Sequence, residues 1–269
     1  MAPPLRCWPL ARVSTLGPGL ALKSGLALGL ALGLGLALVL LAGCAAAAGR
    51  SAVHWQVVLA AGDNAEPVFD DATRALARRL VAAGVPAADI HRLSASRSEL
   101  HGGVEPATAA GLLRQIARLP ARPGDRCLVF LTSHGERGEG LWLARSARAL
   151  HPDELAQALS QGCAAVPTVV IVSGCYTGSF AAAAAMRRPN RIILTAARAD
   201  RPSFGCQTGR IYTFFDECLL AALPKAPTWV TVFDAAKSCV SRQEHVLGMP
   251  PSLPQAYFGL RVARLRVGF

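Results

Sequence analysis

Short runs of apolar residues recur along the chain from residue 55 onward, and polar or glycine-containing segments separate them. The runs are rich in Val, Ile and Leu, a pattern typical of strands that lie buried within a sheet. The five predicted strands are Trp55–Ala61, Ile90–Leu93, Cys127–Ser133, Thr168–Ser173 and Arg191–Thr195.

Between these runs, apolar residues return at the three- to four-residue spacing of amphipathic helices. The predicted helices are Asp70–Ala83, Glu105–Leu119, Pro152–Gln161, Phe180–Met186, Ile211–Ala222 and Thr231–Glu244, and a last extended segment covers Tyr257–Val267. Strands that alternate with helices of this length predict an α/β fold. We expect three layers, with a mainly parallel sheet and helices on both of its faces.

The first 43 residues lie outside this alternation. Arg6, Arg12 and Lys23 carry positive charge with no acidic residue among them, and Ser24–Gly43 is an almost unbroken run of Leu, Ala and Gly. A basic segment followed by an apolar segment is typical of a secretory signal peptide. Residues 1–43 are therefore predicted to be a signal peptide.

The apolar run ends in Leu41-Ala42-Gly43-Cys44, which resembles the lipobox of bacterial lipoproteins and implies lipidation of Cys44. Residues 44–52 would then be the lipidated Cys and a short spacer, and residues 53–269 the folded domain. The alternative is an uncleaved signal anchor, because about twenty apolar residues suffice to span a bilayer. Either form tethers the domain to a membrane outside the cytoplasm. The resemblance implies the bacterial cell envelope, and Ala45 fits the periplasmic face of the outer membrane.

The formal net charge of the 269 residues is +11. The arginines are scattered, and no block of Lys and Arg is interleaved with aromatic residues, so the charge does not predict nucleic-acid binding. We interpret the cations as a solvated surface, attracted to anionic lipid headgroups.

Six of the eight cysteines fall in the predicted domain, at positions 127, 163, 175, 206, 218 and 239. No CxxC pair occurs among them, so neither a zinc site nor any other metal site is predicted. Cys127, inside a predicted strand, is interpreted as a core thiol. In an oxidising compartment, Cys206 and Cys218 could form a disulfide, although spacing alone does not set the connectivity.

Two loops carry residues suited to covalent catalysis. His134 lies in Ser133–Gly138, after the third predicted strand, and Cys175 lies in Ser173–Gly178, after the fourth. The carboxyl ends of parallel strands meet at one edge of a sheet, and neighbouring strands are about 4.8 Å apart. The pattern therefore predicts a catalytic dyad of Cys175 and His134.

A thiol becomes a strong nucleophile as a thiolate, which a nearby imidazolium or a helix N-terminus favours. We expect a helix beginning near Ser179 to direct its positive end toward Cys175, with Gly174 and Gly178 permitting a tight backbone path. The backbone N–H groups of Gly135 and Cys175 are predicted to form an oxyanion hole. This chemistry requires no metal or organic cofactor.

An apolar strand ending in Ser-His-Gly, followed about forty residues later by a second apolar strand and Ser-Gly-Cys-Tyr-Thr-Gly, resembles the legumain (asparaginyl endopeptidase) family. Caspases and gingipains share the wider fold group. The resemblance implies a caspase-like fold with Cys175 and His134 as the catalytic pair. The segments Val58–Asp63, Gly84–Ser94 and Thr195–Cys206 follow the family's order, and the closest similarity is to bacterial lipoprotein members.

The resemblance also implies that the loop Ala196–Cys206 lines the primary specificity pocket, with Ser203 in its wall and a carboxylate from Asp216 or Glu217 at its base. Legumains carry an Arg-His pair early in the first helix region, where this chain has residues such as Val68 and Phe69. The residue at the cleavage position could therefore be Asn, Asp, Arg or Lys. Asn64, after the first strand, is a candidate for orienting His134.

The hypothesis we favour is a membrane-anchored cysteine endopeptidase that acts on a peptide or protein substrate through a Cys175 thioester, with His134 as general base. A transpeptidase or transamidase would differ only in the amine that replaces water. A catalytically silent lipoprotein that binds peptides with the same fold is the alternative from another class.

Overall fold

The predicted strands come together in one sheet in the computed structural model, which describes residues 53–207 and 209–269. The predicted signal peptide, Cys44 and the spacer lie outside these residues. None of the helices in the described part of the chain is long and apolar enough to cross a membrane.

Seven strands form the main sheet, and three short strands form a second sheet. The strands are β1 (Trp55–Ala61), β2 (Ile90–Ser94), β3 (Glu105–Pro106), β4 (Arg126–Thr132), β5 (Gly135–Glu136), β6 (Gly140–Leu143), β7 (Arg148–Leu150), β8 (Thr168–Ser173), β9 (Arg191–Thr195) and β10 (Gln255–Phe258). The order in the main sheet is β10-β9-β8-β4-β1-β2-β3. All of its pairings are parallel except that of β10 with β9.

The helices of the described residues are α1 (Val68–Ala82), α2 (Ala109–Ala117), α3 (Pro152–Gly162), α4 (Gly178–Ala182), α5 (Phe214–Ala222) and α6 (Trp229–Val246). Polar side chains satisfy free backbone N–H groups at several N-termini, as helix caps require. Thr108 accepts a hydrogen bond from Gly111, and Thr213 accepts one from Asp216. At α3, the Glu154 carboxylate accepts a hydrogen bond from the backbone N–H of His151.

Two apolar cores lie on opposite faces of the sheet. Successive side chains of a strand point to opposite faces. Val57 and Leu59 of β1 accordingly pack in the core that α1, α5 and α6 complete, whereas Val58 and Ala60 pack with α2 and α3. β1 and β8 are buried along their whole length, which explains why they read as continuous apolar runs. The three-layer α/β architecture is thus confirmed.

Four elements differ from their predicted form. The helix predicted over Glu105–Leu119 is wrong at its start, because Glu105–Pro106 form β3 and α2 begins only at Ala109. The helix predicted over Phe180–Met186 is shorter, because Ala183 adopts an extended conformation and ends α4. The extended segment predicted over Tyr257–Val267 is wrong beyond Phe258, where the strand gives way to turns. The three-stranded sheet β5-β6-β7 was not predicted, since its strands are too short for a hydrophobic period to show.

The disulfides correct two expectations. Cys127 is bonded to Cys163, so it is not the core thiol that the sequence predicted. Cys218 is bonded to Cys239, and Cys206 is free, so the suggested Cys206–Cys218 bridge is wrong. Spacing could not reveal either pair, because the fold sets which distant cysteines meet.

Candidate active site

The register of two neighbouring strands determines how the predicted dyad is placed. β4 and β8 are parallel, with Thr132 opposite Ser173, and the Ser133 N–H donates a hydrogen bond to the Ser173 carbonyl at 3.0 Å. His134 and Cys175 each follow two residues after this matched pair. Both therefore leave the sheet at its carboxyl edge, side by side, as the sequence predicts.

Gly135 lies against the backbone of Cys175. A Cβ atom on Gly135 would stand 1.9 Å from the Cys175 carbonyl oxygen and 3.1 Å from its nitrogen. On Gly174, a Cβ atom would stand 2.7 Å from the Ser133 carbonyl oxygen. Only glycine lets the two loops approach this closely, so these positions hold the His134 and Cys175 segments together.

The sulfur of Cys175 lies between the backbone groups of Ser203. The Ser203 N–H donates to Sγ, with 3.3 Å between nitrogen and sulfur. The thiol in turn donates to the Ser203 carbonyl, with 3.4 Å between sulfur and oxygen. The next residue, Tyr176, has a φ of 61°, in the left-handed region that non-glycine residues rarely adopt. Its N–H donates to the Arg201 carbonyl at 2.9 Å. The loop around Ser203, predicted to line the specificity pocket, is thus bonded to the nucleophile's loop.

Arg137, in the loop after His134, contacts the loop that follows Cys175. Its guanidinium lies over the Tyr176 ring, 5.0 Å from the ring centroid, and donates a hydrogen bond to the Asp200 carbonyl at 3.0 Å. Such a cation–π contact, together with the hydrogen bond, restrains the segment after His134 relative to the segment after Cys175.

The imidazole of His134 packs against Phe69 of α1. The ring centroids are 5.2 Å apart, and the rings meet edge to face at 80°. Within the described part of the chain, neither ring nitrogen of His134 has a hydrogen-bond partner. The backbone of His134, unlike its ring, accepts a hydrogen bond: Trp142 of β6 donates its N–H to the His134 carbonyl at 2.9 Å. Phe69 thus touches the predicted general base, a contact that the amphipathic pattern of α1 gave no means of singling out.

Asp216 and Glu217 do not present free carboxylates to a pocket. Asp216 is fully buried under the strand ends, where Thr132 donates a hydrogen bond to it at 2.7 Å. Burial raises the pKa of Asp216 to about 6, although hydrogen bonds from Ser173, Thr132 and Thr213 oppose the shift. Glu217 is half-buried and forms an ion pair with Arg210.

Asn64 is exposed and lines a polar groove after β1, instead of meeting the His134 ring. The described residues contain no hydrogen bond between the two side chains. The second free thiol, Cys206, packs against the small cluster that includes Phe69. Burial, and then the negative charge of Cys175, raise the pKa of the Cys206 thiol, so it stays protonated more readily than an ordinary thiol.

The helix after Cys175 is too short to act as the sequence suggested. α4 has five residues, so few peptide dipoles add up at its N-terminus. The polar contacts of the sulfur come instead from Ser203, which sequence reasoning had placed in a pocket wall. Among the described residues, no three His, Cys, Asp or Glu side chains are grouped so that they could hold a metal ion.

The model of the peptidase C13 family matches residues 110–257, more than half of the 269 residues. The chain belongs to the peptidase C13 family. This confirms the resemblance to the legumain family and gives the protein a cysteine peptidase-type function. The match includes both catalytic loops, whereas Val58–Asp63 and Gly84–Ser94, which the resemblance also drew on, precede it.

Among solved structures, this C13 family member is similar to caspase-1 from Spodoptera frugiperda, with a TM-score of 0.56 and 14% sequence identity. The similarity covers 77% of this chain and 87% of the caspase chain. At that identity it shows a shared fold, and the predicted caspase-like architecture is confirmed. A comparison with curated proteins finds no match.

Proposed function

We propose that this protein is a membrane-anchored cysteine endopeptidase with Cys175 as nucleophile and His134 as general base. The observation that carries the proposal is the register of β4 and β8, which brings the two residues to one edge of the sheet with Gly135 against Cys175. A thiol, an imidazole and a close-packed backbone donor are the groups that acyl transfer to sulfur requires.

In the first half of the reaction, His134 takes the Cys175 proton and the sulfur attacks the carbonyl carbon of the scissile peptide bond. The backbone N–H groups of Gly135 and Cys175 receive the negative charge that develops on oxygen. Within the described residues, the Cys175 N–H has no other acceptor. As the carbon–nitrogen bond breaks, His134 gives its proton to the departing amine, and a thioester remains on Cys175.

In the second half, His134 removes a proton from water, which attacks the thioester carbon. The carbon–sulfur bond breaks, the carboxylate product leaves, and the Cys175 thiol is restored. A transamidase would follow the same course with an amine in place of water. No metal or organic cofactor takes part in either half.

The anchoring part of the proposal rests on Cys44 and the signal-like leader. The two disulfides, Cys127–Cys163 and Cys218–Cys239, support folding in an oxidising compartment such as the bacterial cell envelope. We expect a Cys44→Ser variant to lack the acyl chains, which mass spectrometry of its N-terminal peptide detects.

The catalytic part is tested by incubating the full-length chain with peptides that carry Asn, Asp, Arg or Lys at the cleavage position. We expect hydrolysis of at least one peptide, and none by Cys175→Ala or His134→Ala. His54→Ala is a matched control, because His54 is exposed and lies at the opposite edge of the sheet. An added amine acceptor distinguishes the transamidase, which would yield an amide product. Absence of turnover with every peptide would favour the silent binding protein.

A further inference from the structure

A polar groove opens beside the His134 side of the site. It has a volume of about 530 Å³, and its polar lining comes from Asn64, Ser96, Arg97, Ser98, Thr108 and Arg145. These residues follow β1, β2 and β3 or lie in the loop after β6, so the groove sits at the same carboxyl edge of the sheet as the dyad. Neither the dyad nor the chemistry proposed above uses it.

The groove shares a wall with the active site. The turn that carries Arg145 is tied to the end of β1, because the Ala144 N–H donates to the Gly62 carbonyl at 2.8 Å. Trp142, two residues earlier, donates to the His134 carbonyl. From β8, which Cys175 follows, to β2 is three strand spacings, or about 14 Å, and an extended peptide covers that distance in about four residues. A substrate crossing the edge from Cys175 past His134 therefore reaches the groove.

Two arginines that line the groove, Arg97 and Arg145, form no ion pair with any of the described residues. The Nε of Arg145 donates to the Ala95 carbonyl at 2.9 Å, while its second terminal nitrogen is buried without a partner among the described residues. Arg97 is exposed, and its guanidinium likewise has no ion-pair partner in the described chain. Two guanidinium groups that line one groove and have no carboxylate partner among the described residues suit this site to an incoming anion.

Two acids on neighbouring segments, Glu99 and Asp63, already have partners within the chain. Glu99 pairs with Arg74 and Arg92. Asp63 accepts a hydrogen bond from the Ala65 N–H at 2.6 Å. Hydroxyl groups of Ser96 and Ser98, which contact each other at 2.9 Å, add donors near the two arginines. A planar carboxylate matches the fork of donors that a guanidinium presents.

We propose that this groove is a substrate subsite that binds the carboxylate of an Asp or Glu side chain, about four residues from the scissile bond on the His134 side. The inference rests on the proposed peptidase function and adds a specificity determinant to it. Arg145 makes the direct contact, and Arg97 strengthens the local field.

The test compares peptides in which a single Asp or Asn is moved through the second to fifth positions on each side of the scissile bond. With the full-length wild type, we expect Asp at one such position to raise kcat/KM at least about tenfold over Asn, the lower end of the range for one charge-assisted hydrogen bond. Raising the salt concentration should shrink this ratio, since the groove is open to solvent.

Variants of Arg145 and Arg97 show which side chains cause the preference for Asp over Asn. Arg145→Gln and Arg97→Gln should each bring the Asp-to-Asn ratio toward one, and Arg145→Glu should favour Lys at the same position. Arg264→Gln is the matched control, because Arg264 is exposed and follows β10 toward the other edge of the sheet. Arg97 is exposed, so its variant remains informative if replacing the half-buried Arg145 disturbs folding.

A binding assay keeps this inference separate from the proposed function. Fluorescence anisotropy of the same peptides on the Cys175→Ala protein should show tighter binding of the Asp peptide, and Arg145→Gln should abolish the difference. If no peptide is hydrolysed but the binding preference persists, the peptidase proposal fails and the subsite stands. Equal hydrolysis and equal binding of the Asp and Asn peptides at every position would overturn the subsite.

Discussion

The backbone of Gly135 lies against that of Cys175 so closely that a methyl group on Gly135 would stand 1.9 Å from the Cys175 carbonyl oxygen. No real carbon occupies such a position, so a larger residue must push the two loops apart. The residue that follows the general base therefore helps to set the distance between the base and the nucleophile.

A Gly135→Ala variant should lose about 100-fold in kcat, because displacing catalytic groups by about 1 Å costs that much. Peptide hydrolysis measures the effect, and circular dichroism checks that the chain folds. Gly102→Asn is a suitable control, since Gly102 has open space around it and Asn tolerates its left-handed φ of 57°. Wild-type kcat in Gly135→Ala would mean that the loops do not require this contact.

Phe69 should position His134 through its edge-to-face contact. Such a contact contributes about 0.5 to 1.5 kcal/mol, so Phe69→Leu should lower kcat about three- to tenfold and move the acidic limb of the pH–rate profile. Phe69→Tyr, which keeps the ring, should restore most of the rate. Phe233→Leu, which removes another buried edge-to-face contact, should reduce stability without moving the profile. A shift of equal size in both Leu variants would show that Phe69 acts only through stability.

Asp216 should make the free energy of unfolding depend on pH. Its pKa is raised by burial from 3.8 to about 6, so the folded protein holds this proton where the unfolded chain has released it. The contribution of Asp216 to the free energy of unfolding is therefore fully present below about pH 4. It is lost as the pH rises to about 6, a decrease of about 3 kcal/mol. Urea unfolding between pH 4 and 7.5 measures this decrease.

Asp216→Asn should remove that part of the pH dependence, because the amide does not ionise. Asp234→Asn provides the control, because Asp234 is exposed, and its free energy of unfolding should vary with pH as that of the wild type does. An unchanged slope in Asp216→Asn would assign the pH dependence to other groups.

The disulfide between Cys218 and Cys239 closes a loop of 21 residues and links α5 to α6. By the chain-entropy relation, the Cys218→Ala/Cys239→Ala protein should lose about 3 kcal/mol of unfolding free energy. Denaturant titration of the variant measures the loss, and Cys206→Ala, which breaks no bridge, is the control. Equal unfolding free energies of the wild type and the Cys218→Ala/Cys239→Ala protein would show that the bridge does not stabilise the fold.

The sequence predicted the elements whose pattern is long and periodic. β1, β8 and β9 have the predicted bounds, because each is a continuous apolar run buried on both faces. The placement of His134 and Cys175 followed from the same runs, since parallel strands deliver their following loops to one edge. The family resemblance then led to the catalytic roles that we propose for these loops.

Contacts between segments distant in sequence could not be predicted in this way. Asp216 lies in a helix whose pattern shows only that one face is buried, and its hydrogen bond to Thr132 depends on how α5 packs under the sheet. The disulfide partner of Cys127 likewise depends on how α3 packs against β4, and that of Cys218 depends on how α5 packs against α6. The groove with Arg97 and Arg145 gathers residues from four separate segments, and none of them forms a motif.

The catalytic role of Cys175 is tested most directly by treating the full-length protein with peptidyl acyloxymethyl ketones carrying Asn, Asp, Arg or Lys, and mapping the adduct by mass spectrometry. We expect one adduct on Cys175, none on Cys206, whose raised pKa keeps it protonated, and a large decrease in His134→Ala but not in His54→Ala. A folded protein without an adduct on Cys175, or with equal labelling of Cys206, would contradict the proposed dyad.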